Sequence, residues 1–174
     1  MKKNKLLLAA GFSMLLTGCM GTKYTYEDGM TAAGVTIQLK YELTVKTSTF
    51  SLKTDTTNTM VGTAAALTLG GDVTNTMTEK HTGNLEAVEN KENVYKLTTT
   101  KIVVSDYVCE GTGATAYNTL AKESLKAMSY LTSEDITNII EGKKVTIELE
   151  EKDYITSYVK VNPENHTFAP TVVL

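Results

Sequence analysis

Val35-Thr36-Ile37-Gln38-Leu39-Lys40-Tyr41-Glu42-Leu43-Thr44-Val45 is the stretch whose reading decides the fold. Its odd positions are all apolar or aromatic and its even positions all polar, the period-two pattern of a strand with one face buried and one in water. Alternation this clean marks antiparallel sheet, because parallel strands are covered on both faces and read as continuous apolar runs. The six odd-numbered side chains are expected to share one side of the sheet, so Ile37, Leu39 and Leu43 should all be sensitive to truncation.

The same pattern extends in both directions. Phe50 and Leu52 continue it after a turn near Thr47-Ser48. Met60 to Leu69 and Val73 to Thr78 flank Gly70-Gly71-Asp72 and read as a hairpin, since paired glycines reach positive φ at low cost. Leu85 to Val88 and Val94 to Val104 flank the polar stretch Glu89 to Asn93 and give a second hairpin. Tyr95 and Leu97 fall on one parity and Ile102 and Val104 on the other, so a bulge is expected around Thr98 to Thr100.

Between Ala116 and Glu141 the period changes to that of a helix. Ala121, Leu125 and Met128 share one face, and Ile136, Ile139 and Ile140 form an i, i+3, i+4 set. The second helix starts at Thr132 or Ser133 as cap, with Glu134 and Asp135 in its positive first turn, and ends at Gly142-Lys143-Lys144. Val145 to Glu150 and Tyr154 to Val161 alternate again around Glu151 to Asp153 and read as a last hairpin; Phe168 to Leu174 adds a further strand. The expectation is a mainly β protein, an antiparallel meander barrel or a two-sheet sandwich of eight to nine strands. A two-helix insertion near 116–130 and 133–141 precedes the last hairpin, and the barrel is the preferred form.

The N-terminus reads differently. Lys2, Lys3 and Lys5 precede the apolar run Leu6 to Leu16, the layout of a secretory signal, and that run is too short for a bilayer, which needs about twenty residues. Leu16-Thr17-Gly18-Cys19 follows and resembles the bacterial lipoprotein signal: Leu, a small residue, Gly or Ala, then Cys. The resemblance covers residues 1–19. It implies a signal peptide over 1–18, diacylglycerol on Cys19 Sγ, and a protein held by that lipid to the membrane on its extracytoplasmic side, in the cell envelope. Residues 19–34 then form a lipidated N-terminus and tether, and 35–174 a single β-domain. The use of Lys to the exclusion of Arg is associated with Gram-positive sources, for which the membrane would be the cytoplasmic one.

Composition narrows the function classes. Removing residues 1–18 leaves 156 residues, with 14 lysines against 20 acidic residues, a net of minus 6. An acidic chain without Arg lacks the footprint of nucleic-acid binding, so no nucleic-acid partner is expected. With Cys19 lipidated, Cys109 has no intramolecular partner; it follows Val108 at the end of an apolar strand and should be a buried, inert thiol. As a nucleophile it would need His81 or His166 as base. No metal site and no cofactor are expected, since two histidines 85 positions apart and one thiol fit no ligand spacing. Gly111-Thr112-Gly113-Ala114-Thr115-Ala116 matches G-x-G-x-x-A, but it is not followed by the parallel strand that a dinucleotide site requires. The acidic run Glu148, Glu150, Glu151 and Asp153 reads as a solvated strand end. Tyr41, Tyr95, Tyr154 and Tyr158 are the candidate ligand-lining residues, aromatic bodies with a polar tip.

Over residues 35–162, by strand order, the chain looks like the small lipocalin-like lipoproteins of bacterial envelopes. The Gly-x-Trp of lipocalins has no counterpart, since the chain has no Trp. The resemblance implies a tethered, non-enzymatic barrel that takes a small apolar ligand or another envelope component. The alternative is a structural or adhesive module with a filled barrel that acts through its Thr-rich outer faces, and an envelope hydrolase is third. Thr supplies 30 of the 174 residues.

Overall fold

A computed structural model describes residues 21–171; the signal, Cys19 and the last three residues lie outside the described residues. The strands are β1 (Thr22–Ala32), β2 (Val35–Val45), β3 (Thr49–Met60), β4 (Val73–Ala87), β5 (Val94–Glu110), β6 (Val145–Glu148), β7 (Ile155–Asn162) and β8 (Thr167–Pro170). The helices are α1 (Gly62–Leu69), α2 (Ala114–Lys126) and α3 (Ser133–Ile140). Seven strands close a barrel in the order β1-β2-β3-β4-β5-β7-β8, and β6 lies along β5 as an eighth. All pairings are antiparallel except the closure, where Thr25 pairs in parallel with Thr167 and donates its N–H to His166 O at 2.9 Å.

Register fixes what faces inward. Leu43 stands opposite Tyr24 on β1 and Leu52 on β3, and Val45 opposite Phe50. With Leu85, Leu97, Val159, Val161 and Phe168 they fill the lower half of the barrel, the end at which β1 starts and β2 finishes. A second core occupies the upper half, where α3 lays Ile136 and Ile139, and α2 lays Leu125, against Ile102, Val104, Tyr107 and Val145. α2 packs on β4 and β5, α3 on β5 and β6, and α1 against α2. The upper ends of β1 and β2 are less covered: Leu43 and Val45 are buried, while Val35, Ile37, Leu39 and Tyr41 on the same parity are half-buried.

The expected bulge is present. Thr82 pairs with Lys101 but Gly83 with Thr99, so Thr100 is the extra residue, and this lets Leu97 and Ile102, both 0% exposed, point into the same interior. Gly83 makes it feasible, because a Cβ there would lie 2.0 Å from Thr98 O. A second irregularity, Thr76 opposite Val108 but Thr78 opposite Ser105, turns Tyr107 inward at Asp106, whose φ is 56°.

Three expectations are corrected. Residues 22–32, read as part of a tether, form β1: Asp28 Oδ1 accepts the Gly29 N–H at 2.7 Å without turning the chain, and the turn falls at Ala33-Gly34, both with positive φ. Gly70-Gly71-Asp72 does not join two strands. β3 ends at Met60, and the alanine run Ala64 to Ala66 forms α1, since Ala has the highest helix propensity. Asp72 Oδ1 latches that helix by accepting the Gly62 N–H at 3.0 Å. The last hairpin is absent as well: β6 pairs with Lys101–Val104 and β7 with Val94–Thr99 along the same edge of β5, so the two strands run in line around the 3-10 turn Glu151–Asp153. The second helix starts at the expected cap, with Thr132 and Asp135 forming a capping box, whereas the first ends at Lys126 and leaves Met128, expected on its face, in the connection to α3.

Candidate functional site

The break between β6 and β7 creates the candidate site. At the height of the Thr100 bulge the neighbouring strand also leaves its ladder: Leu149 N–H donates to Thr100 O at 3.0 Å, Asp153 N–H closes the 3-10 turn on Glu150 O at 2.8 Å, and β7 rejoins at Ile155 opposite Thr99. The connection from α2 to α3 passes over this excursion and leaves a cleft of about 740 Å³. Met128, Tyr130, Ile147, Leu149 and Ile155 form its apolar wall, each half-buried. Glu148, Glu150, Lys152 and Asp153 stand at its rim, where Glu148 pairs with Lys101 at 3.3 Å and Glu150 with Lys152 at 3.0 Å.

One polar tip points among these apolar groups. Tyr130 OH donates to Met128 Sδ at 3.3 Å. Burial pushes this hydroxyl up to about 12, with the Glu79 carboxylate adding to the rise, so it stays a neutral donor at any physiological pH. A cleft of apolar side chains with a few placed polar groups suits a small molecule.

Behind the cleft the barrel interior is polar at mid-height. His81 Nε2 is hydrogen-bonded to Glu79 Oε1, and His81 Nδ1 lies 3.3 Å from Thr99 Oγ1. A hydroxyl, an imidazole and a carboxylate in this order match a nucleophile, base and orienting acid. Thr99 is nevertheless only 3% exposed and is flanked in the sheet by Gly83 and Ile155, so a substrate has no approach to it. The set fixes His81 in place and satisfies buried polar groups. This interior was missed in the sequence, although the odd parity from Val73 through Leu85 was a signal that would have turned Glu79 and His81 inward.

The candidate tyrosines are dispersed. Tyr154 lines the cleft, 37% exposed. Tyr41 faces the barrel interior, its ring centroid 5.5 Å from that of Tyr26, and its hydroxyl is raised by burial and then by Asp28, Tyr26 and Glu79. Tyr95 packs on the lower core. Tyr158 pairs with Lys96, on the parity opposite to buried Val159.

Cys109 is half-buried, donates to Ala114 O at 3.9 Å, and is raised by burial. It is not joined to either histidine. Cys109 pairs with Asn75, six residues from His81 along β4, or about 20 Å; His166 stacks on Tyr24 at 5.8 Å at the lower end. The glycine motif is occupied by its own fold, since Gly113 N–H donates to Asp72 O at 3.0 Å. Among the described residues no group of three or more His, Cys, Asp and Glu could hold a metal ion, and no helix is long and apolar enough to cross a membrane. Comparison with family models, curated proteins and solved structures finds no match to this chain.

Proposed function

We propose that this protein is a non-enzymatic, lipid-anchored component of the bacterial cell envelope, held through diacylglycerol on Cys19, that binds an apolar molecule or the apolar part of an envelope component in the cleft at the β6–β7 break. The observation that carries the binding reading is the cleft itself: about 740 Å³ with Met128, Ile147, Leu149 and Ile155 only half-buried around the neutral Tyr130 hydroxyl. Apolar surface left in contact with water stabilises a ligand that covers it, at about 25 cal/mol per Å². The anchor reading is supported by the Leu16-Thr17-Gly18-Cys19 pattern, and the first described strand starts at Thr22, three residues after the cysteine.

A solvatochromic apolar probe titrated against the mature domain tests the cleft. Ile147→Lys, which puts a charge on its wall, should abolish the probe signal, while Tyr158→Ala on the outer face should leave it. Equal signals from both variants would remove the cleft as the site. A second reading, the structural or adhesive module, is favoured by one feature: Thr31, Thr36, Thr59 and Thr74 stand in register across β1 to β4, on the parity opposite to the interior. Loss of surface adhesion on replacing these four by Ala, with probe binding intact, would select it.

A further inference from the structure

We infer that the barrel stands upright on its anchoring membrane, with its lower rim against the lipid headgroups and its upper end directed away. The inference rests on the reading of Cys19 as the lipid attachment. From Cys19 to Thr22 is three residues, a reach of at most about 10 Å, and Thr22 sits at the lower end of β1, paired with Val45. The turns at that end are Lys46–Ser48 between β2 and β3, Val88–Asn93 between β4 and β5, and Pro163–His166 between β7 and β8. All three therefore lie on the rim that carries the point of attachment.

The upper end is beyond that reach. β2 has 11 residues, so with the tilt of a barrel strand the upper rim stands about 25 to 30 Å above the lower. The lower turns carry Lys46, Glu89, Lys91, Glu92 and Glu164, all exposed and suited to a hydrated headgroup layer. Of the large exposed hydrophobic residues, Met30, Val61, Leu67, Val108 and Leu120 belong to the upper end and Tyr154 to the cleft at mid-height. The cleft, level with Thr99 to Lys101 on β5, then opens about 10 to 15 Å above the headgroups. A ligand enters it from the aqueous side and not laterally from the bilayer.

The experiment uses the full-length lipidated protein in a Cys109→Ala background, with a fluorophore on Thr47→Cys in a lower turn or on Leu67→Cys in α1. Each is reconstituted into phosphatidylglycerol/phosphatidylcholine vesicles carrying an acceptor dye on the headgroups. Strong energy transfer from position 47 and several-fold weaker transfer from position 67 is the expected result. Equal transfer, or stronger transfer from position 67, would overturn the upright orientation. Intact mass separates the two readings: a protein without diacylglycerol overturns the anchor and the orientation together, whereas a lipidated protein with reversed transfer overturns the orientation alone. Should Thr47→Cys fail to fold, Lys91→Cys reports on the same rim.

Discussion

Truncating Leu43 to Ala should destabilise the domain far more than the same change at Ile37, although both lie on the inward parity of β2. Leu43 is 0% exposed and lies in the lower core between Tyr24 and Leu52. Its loss removes buried methyl groups and leaves a cavity that a closed barrel cannot collapse, a cost of about 3 to 5 kcal/mol. Ile37 and Leu39 are half-buried at the less covered upper end, so their truncation should cost about 1 kcal/mol, and Gln38→Ala or Lys40→Ala less than about 0.5 kcal/mol. With a urea slope near 2 kcal/mol per M, Leu43→Ala should lower the midpoint by about 2 M and Ile37→Ala by about 0.5 M. Urea unfolding followed by circular dichroism reads both. Equal losses at positions 37 and 43 would show the upper end to be as closed as the lower, and the graded barrel described here would be refuted.

Gly83→Ala should cost at least about 2 kcal/mol, since the added methyl meets Thr98 O across the bulge; a thermal melt unchanged from the parent would remove the close approach. Thr132→Ala should lower stability by about 1 kcal/mol through loss of the capping box, and Thr132→Ser should restore most of it in the same melt. Tyr130 has a hydroxyl raised from 10.0 to about 12 in the folded state, so its contribution is intact below pH 10 and lost as pH rises towards 12. An ultraviolet phenol titration should therefore lose a late-titrating group in Tyr130→Phe, and an unchanged curve would contradict its burial.

The parts of the fold legible in the sequence are those set by local pattern. The alternation of Val35 to Val45, the parity change that placed a bulge at Thr98 to Thr100, and the Thr132 cap each state a local geometry that tertiary packing had no reason to override. The misread parts are those where a local signal has two outcomes. Gly70-Gly71 marks the end of an element but does not tell a strand from a helix of alanines, and Glu151 to Asp153 marks a break without telling a reversal from an interruption. β1 was missed because Asp28-Gly29 carries turn residues inside a strand that β2 holds straight by eleven paired positions. The cleft was only partly visible: Tyr154 and the acidic run belong to it, but its wall joins residues near 128 to residues near 149, a juxtaposition made by the helix pair and the β6–β7 break.

Native mass spectrometry of the mature protein purified from its own host membranes decides whether the cleft holds a ligand. The expected mass includes the lipid on Cys19 together with a non-covalent small-molecule adduct, and Ile147→Lys should lose the adduct while keeping the lipid. A lipidated protein that carries no adduct, and takes up none when apolar compounds are added, would contradict the binding function.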